Sequence, residues 1–388
     1  MFSNLKRVLA VAGLSIGLAA CQVIPGGGQG PVTTTEPVVV GPVDEPVANV
    51  LPQDVGRHRV ALLVPLSGSN AQVGQSIANA TTMALLDTNA ENLRITTYDT
   101  SNGAGRAASR AIQDGNALIL GPLVRDNVSA VLAQARPAGI PLITFSNDTG
   151  VAQPDVFVMG HIPEQSIDRT VSFAIAQGAR NFALLVPNGE YGQRAAAALQ
   201  NSVNAGGAAL VSAETYERGN TSIISAASRL SDRGGFDTVL IADGARLAAM
   251  AATELKEAGD ALPSIIGPEL WSGETTLTRA GAMQGAWFSA VSDGRYRQFV
   301  SSYEGRFGSQ PYRIATLGYD SVLLALRVAR EWEPGTPFPT GQLLDTGGFL
   351  GLDGAFRFQS NGVGERAFEV REVGDGSVSV VEEAPRQF

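Results

Sequence analysis

Cysteine occurs once in the 388 residues, at Cys21, and histidine twice, at His58 and His161. That inventory excludes a disulfide framework, a Cys/His zinc cluster and a cysteine–histidine nucleophile. Lysine is nearly missing: Lys6 and Lys256 stand beside 26 arginines, a bias we read as codon usage rather than chemistry. Basic charge is outweighed, with a net −9 and a pI near 4.9, so no nucleic-acid partner is expected. Catalytic signatures are missing as well. There is no Gly-x-Ser-x-Gly elbow, no His-Glu-x-x-His pair and no phosphate loop. Gly103-Ala104-Gly105 is half of a dinucleotide fingerprint whose third glycine does not follow. The expectation is a protein that is not an enzyme, with no catalytic residues, no cofactor and no metal.

What remains is a globular composition, 44% hydrophobic and 17% charged. A chain this long exceeds the size at which one core keeps growing, so two lobes are expected.

The N-terminus reads as an address. Lys6 and Arg7 precede an apolar run from Val8 to Ala20, about 20 Å of helix. A bilayer core of about 30 Å needs roughly 20 residues, so this is a signal peptide over residues 1–20 rather than a span. Leu18-Ala19-Ala20-Cys21 resembles a bacterial lipobox. The resemblance implies cleavage before Cys21 and lipidation of its thiol and new amine, the lipid being the only membrane attachment. The alternative is a buried cysteine that happens to follow small residues. Gln22 rather than Asp at the second mature position implies, by the sorting pattern of enteric bacteria, delivery to the outer membrane. Residues 21–54 are rich in Gly, Pro, Val and Thr without amphipathic period, a flexible linker. About 30 such residues reach roughly 30 Å as coil and nearly 90 Å fully stretched. They serve as a stalk, or as a tether long enough to meet something away from the membrane.

From His58 onward short apolar runs alternate with helical stretches. Arg59 to Val64, Leu93 to Tyr98, Ala117 to Leu120 and Ile140 to Phe145 read as strands, with helices between them. The alternation resumes after a break near Met159-Gly160-His161, with strands at Phe182 to Val186, Ala208 to Tyr216, Thr238 to Ala242 and Ser264 to Ile266. Strands alternating with helices of this length indicate βαβ units and parallel sheets. Ligands in such sheets sit beyond the carboxyl ends of strands. Gly354 to Phe358 and Arg366 to Val370 read as a hairpin around Ser360-Asn361-Gly362. Residues 374–388 read as an acidic tail, frayed beyond Gly376.

The run Val60-Ala61-Leu62-Leu63-Val64-Pro65-Leu66-Ser67-Gly68, continuing Gly74-Gln75-Ser76-Ile77-Ala78-Asn79-Ala80, resembles the opening of type I periplasmic binding proteins, the leucine-binding-protein-like family. Ile119-Leu120-Gly121-Pro122-Leu123 and Ile140-Pro141-Leu142-Ile143-Thr144-Phe145-Ser146 look like its third and fourth strands. Pro187-Asn188-Gly189-Glu190-Tyr191-Gly192 and Ile266-Gly267-Pro268-Glu269 resemble its second-lobe loops. The resemblance implies an α/β fold of two lobes, parallel sheets flanked by helices, and three crossings. Lobe 1 would be 55–160 plus 290–335, and lobe 2 would be 161–289 plus 336–373.

Members that bind amino acids hold the carboxylate with small hydroxyl residues and backbone N–H groups, and the ammonium with a second-lobe acid. Carried over, the acid is Glu269, the first-lobe loops supply Ser67, Arg125, Ser146 and Asp148, and the second-lobe aromatic is Tyr191. Gly160 and His161 fall at the first hinge. Arg125 stands where serine is common in the family; it can pair a carboxylate bidentately or pair locally with Asp126. Ser67, Ser146 and Asp148 also sit where helix caps belong.

Two functions follow from the resemblance. The lipobox, the stalk and the ending Gly351-Leu352-Asp353-Gly354-Ala355-Phe356-Arg357-Phe358, then Gly362-Val363-Gly364-Glu365-Arg366, resemble a lipoprotein branch of the fold known as penicillin-binding-protein activators. That implies a regulator whose partner is a peptidoglycan synthase. The best-known members carry an additional N-terminal helical-repeat domain that this sequence lacks. The alternative is the substrate-binding component of an ABC importer, docking on a permease and carrying an amino acid or related small carboxylate.

Overall fold

A computed structural model describes residues 56–388 except 220, 259–261 and 387. The signal peptide, Cys21 and the linker to residue 54 lie outside the described residues.

The first sheet holds β1 (His58–Val64), β2 (Leu93–Asp99), β3 (Leu118–Leu120), β4 (Leu142–Thr144) and β5 (Val156–Val158). All pairs are parallel, in the order β2-β1-β3-β4-β5. Val60 to Val64 are fully buried, because helices cover both faces of this central strand. Side-chain alternation divides the strand between two cores. Val60, Leu62 and Val64 pack with Ile77 and Ala84 of α1 (Ala71–Asp87). Ala61 and Leu63 pack with the alanines of α2 (Ala104–Gln113) and with Val131 and Leu132 of α3 (Val128–Ala135).

The second unit repeats the plan. Its parallel strands are β6 (Asn181–Pro187), β7 (Ala209–Tyr216), β8 (Thr238–Ile241), β9 (Ser264–Gly267) and β10 (Trp287–Ala290). On one face lie α4 (Pro163–Ala176) and α5 (Glu190–Ala205), against Leu184, Val186 and Ile266. On the other lie α6 (Ser222–Arg233) and α7 (Ala245–Ala258), against Ala183, Leu185 and Val239, with the short α8 (Thr275–Arg279) beside them.

The two opening strand–helix turns share a device. A Cβ on Gly74 of α1 would stand 1.8 Å from the Pro65 carbonyl oxygen, and one on Gly192 of α5 would stand 1.8 Å from that of Pro187. Each helix starts in direct contact with the end of its strand, and only glycine admits that approach.

After β10 the chain returns to the first unit. α9 (Gly294–Phe307) buries Phe299 and Tyr303 against Ala80 and Met83 of α1, and α10 (Thr316–Val328) lies along the same helix. β11 (Phe349–Gly351), β12 (Gly354–Phe358) and β13 (Gly364–Arg366) form a small antiparallel sheet. Trp332, Phe338, Leu343, Phe356 and Phe358 are buried in the core of Val60 and Leu62. The boundary read at 336 therefore falls too early: the aromatic side chains of 338–358 pack on the first sheet. The hairpin reading is corrected too. Its second strand is β13, and the chain then crosses to the second sheet as β14 (Glu369–Val373), antiparallel to β10.

The tail is not frayed at its start. Val378–Glu382 forms β15, antiparallel to β14 across a tight turn in which Gly374 N–H donates to the Ser377 carbonyl. A link that short joins only antiparallel neighbours. The second sheet is thus mixed, in the order β15-β14-β10-β9-β8-β6-β7.

Candidate functional site

The sequence-derived candidates fall on loops at the carboxyl ends of strands, where the two sheets face each other. Arg125 follows β3, Ser146 and Asp148 follow β4, Tyr191 follows β6 and Glu269 follows β9. Nearby lies a cavity of about 510 Å³ that Glu269 lines but Arg125, Ser146, Asp148 and Tyr191 do not. Leu123, Phe145 and Asn147 line it from the first unit, and Ile162, Glu269 and Leu270 from the second. His161 and Val291 border it at the crossings, and Arg313 and Ile314 at the start of α10.

Arg125 does not point a free guanidinium at this space. Its Nε lies 2.6 Å from Asp148 Oδ2 and its Nη1 lies 2.9 Å from Glu190 Oε1, the first residue of α5. The pairing partner is Asp148, not the neighbouring Asp126, and Glu190 belongs to the opposite unit. A second arginine acts alike. Arg194 pairs Glu164 through Nε at 2.5 Å and donates from Nη2 to the Asn147 carbonyl at 2.9 Å, again across the two units. The mouth of the cleft is thus bridged by the chain's own charges.

Asp148 does two jobs. Besides Arg125 it accepts from Gly150 N–H at 2.7 Å, capping the short turn at 149–151. Ser146 is buried and its Oγ accepts from Asp148 N–H at 3.1 Å, which shapes the loop. Ser67 neither caps α1, whose N-cap is Asn70, nor lines the cavity. It is exposed and tied into a loop in which Asp99 accepts from Leu66 N–H and Ser101 donates to the Ser67 carbonyl.

Glu269 receives the Ser166 hydroxyl on Oε2, while its own N–H donates to Ser166 Oγ. Burial pushes its carboxyl up to about 7, against those hydrogen bonds. Tyr191 encloses its hydroxyl with no hydrogen-bond partner, and Arg218 stacks over its ring at 5.2 Å. Burial first, and then the Glu269 charge, raise that phenol further above its ordinary value.

The hinge residues sit on a buried charge cluster that sequence reading missed. Asp353 accepts from Arg313 Nη1 at 2.6 Å and Thr316 Oγ1 at 2.7 Å, and lies 2.8 Å from His161 Nε2. Burial alone would raise Asp353, but Arg313 and His161 hold it well below the carboxylate range. Asp320 is pushed up to about 7 by burial and by the charge of Asp353, against the Arg366 charge and the N–H groups of Leu352 and Asp353. Burial lowers His161 in spite of Asp353. A Cβ at Gly160 would stand 2.3 Å from the Ser146 carbonyl oxygen, so the first crossing runs against the β4 loop. Arg313, Arg194 and Ser166 carried no motif in the sequence, and Glu190 stood in the Pro187–Gly192 motif without a role of its own. The only cue was their place just after strands or at helix starts.

Among the described residues, no group of His, Cys, Asp and Glu could hold a metal, and no helix is long and apolar enough to cross a membrane.

Residues 58–377 match the family model described as periplasmic binding protein. Over 140 residues the chain is 26% identical to the penicillin-binding protein activator LpoA of Photobacterium profundum, covering 35% of this chain and 23% of that protein. The chain spans under half the length of the curated relatives it matches. A solved structure from Rhodospirillum rubrum assigned to a branched-chain amino acid ABC transporter superposes with a TM-score of 0.75 at 21% identity, covering 84% of this chain and 100% of that one. Full-length LpoA of Haemophilus influenzae superposes with a TM-score of 0.66 at 20% identity, covering 84% of this chain and 59% of that one. At these identities the structural likeness is one of fold.

Proposed function

Because the chain belongs to the periplasmic binding protein family, we propose that it is a non-enzymatic envelope lipoprotein that regulates a peptidoglycan synthase. Cys21 carries the lipid, the linker spans away from the outer membrane, and the two-lobed body makes the contact. The observation that carries this reading is the ion pair of Arg125 with Asp148 and Glu190, set where the family resemblance puts a ligand carboxylate. A site already filled by the chain's own carboxylates is suited to holding two lobes together. The curated relatives named as penicillin-binding protein activators support the same direction. The test is binding of the purified chain to a bifunctional synthase and its effect on glycan polymerisation and cross-linking. We expect a complex and a raised rate. Absence of both overturns the reading.

A second reading, the substrate-binding component of an ABC importer for amino acids or related carboxylates, is favoured by the cavity and its buried Glu269. It predicts a ligand-induced rise in thermal midpoint with an amino acid. A ligand at a thousand times its Kd adds about 4 kcal/mol of stability.

A further inference from the structure

A groove of about 570 Å³ lies between the first half of α1 and the loop that follows α9, on residues that take no part in the cleft. No charged side chain lines it. One wall carries Gln72 and Gln75 of α1, the other Ser309, Gln310 and Tyr312 of the loop, and all five are exposed. The floor is a chain of hydrogen bonds. Gln75 Nε2 donates to Asn79 Oδ1 at 2.9 Å, Asn79 Nδ2 to the Tyr303 hydroxyl at 3.0 Å, and that hydroxyl to Ser76 Oγ at 3.3 Å. Ser76 Oγ also accepts from Tyr312 N–H at 3.0 Å, and the Tyr312 hydroxyl donates to Gln72 Oε1 at 2.9 Å. The two walls are thereby joined and both tyrosines are held. Among the described residues, the Gln310 amide, Gln75 Oε1 and Gln72 Nε2 have no protein partner.

We propose that this groove binds an uncharged oligosaccharide, its hydroxyls meeting the three glutamines and one sugar face lying on the Tyr312 ring. An amide carries a donor and an acceptor side by side. Neighbouring sugar hydroxyls, each both donor and acceptor, present the matching pair. An ionic ligand would find no counter-charge in this lining and would lose hydration without compensation. A purely apolar ligand would cover amide groups and leave them unpaired. Tyr312 is 44% exposed and its hydroxyl is anchored on Gln72, so it offers an apolar face whose orientation is already set. The volume lies in the range of small-ligand sites. The groove is built by the first unit alone, so binding there needs neither the cleft nor the synthase reading, and its test uses no second protein.

Binding to the purified full-length chain is followed by saturation-transfer NMR and calorimetry with triacetylchitotriose, cellotriose and maltotriose, and with the blocked peptide acetyl-trialanine-amide as an uncharged control. At least one sugar is expected to bind with a Kd of about 1 mM or tighter, and the peptide is expected to be silent. Gln75→Ala and Gln310→Ala remove exposed side chains and should keep the fold by circular dichroism. Each should weaken the bound sugar by about 3- to 10-fold, the scale of a lost neutral hydrogen bond. Tyr312→Ala should weaken it by about 10-fold, whereas Tyr312→Phe, which keeps the ring, should retain most of the affinity. A sugar that binds every variant as well as the parent sits elsewhere and overturns the proposal. Silence of all three sugars overturns it too. Binding of the peptide with the same dependence on Gln75, Gln310 and Tyr312 would make the groove a peptide site and overturn the assignment to sugar.

Discussion

Arg125 and Glu190 face each other across the cleft, Nη1 to Oε1 at 2.9 Å, Arg125 after β3 of the first sheet and Glu190 opening α5 after β6 of the second. Both side chains are more than half exposed, at 53% and 66%. An ion pair so wet contributes little to unfolding stability, yet it spans a gap that nothing covalent closes nearby.

Arg125→Ala should therefore change the unfolding free energy by under about 1 kcal/mol. Small-angle scattering should nonetheless report a larger radius of gyration for the variant, because one of two bridges at the mouth is gone. An unchanged radius would mean that Arg194 and the crossings alone keep the lobes together.

Glu269 gives the molecule a signed pH dependence. Its folded carboxyl is raised to about 7, so between about pH 4.5 and 7 the folded state holds a proton that the unfolded chain has released. The stability it contributes is complete below the unfolded value and lost as pH rises through the folded one. Glu269→Gln, which keeps the neutral shape, should show a flatter loss of midpoint across that window. Asp320, also raised to about 7, acts with the same sign in both proteins, so the difference between them isolates Glu269.

Gly74→Ala and Gly192→Ala should each destabilise by about 2–4 kcal/mol, since the new methyl meets a backbone oxygen that no rotamer change can move. The expected midpoint shift is several degrees in each variant.

Phe358→Ala should remove about 3–5 kcal/mol. Phe358 stands edge-on to Phe157 of β5 at 5.3 Å. Hydrogen exchange should rise in β5 and α10 and stay unchanged in α6 and α7. Loosening confined to the second sheet would contradict the packing described for 338–358.

Much of this was legible in the sequence because strands buried on both faces announce themselves as unbroken apolar runs. Val60 to Val64 and Phe182 to Val186 needed no structure, and the loops after them followed from chain order. The final hundred residues were not legible in the same way. Phe356 and Phe358 alternate as a hairpin strand should, but alternation does not say which core receives the buried face. Val378–Glu382 is exposed at every residue, so no burial pattern marked it as a strand; it is held by backbone pairing with β14 and by the ion pair of Glu382 with Arg169 of α4. The site divided along similar lines. Asp148 and Glu269 fell at strand ends, but the partners that decide their chemistry, Arg125 with Glu190 and Ser166 with Glu269, are joined only by the fold.

The late return of the chain to its first core governs when that core can exist at all. β1 begins at residue 58, yet Trp332, Phe338, Leu343, Phe356 and Phe358 complete the cluster around it. Almost the whole polypeptide must be synthesised before the first lobe can close, and contacts of such long sequence separation form slowly. For a chain that, as proposed, leaves the cytoplasm behind a signal peptide, this delay keeps the nascent molecule threadable. In that proposal the topology itself postpones closure of the first lobe until the chain has crossed.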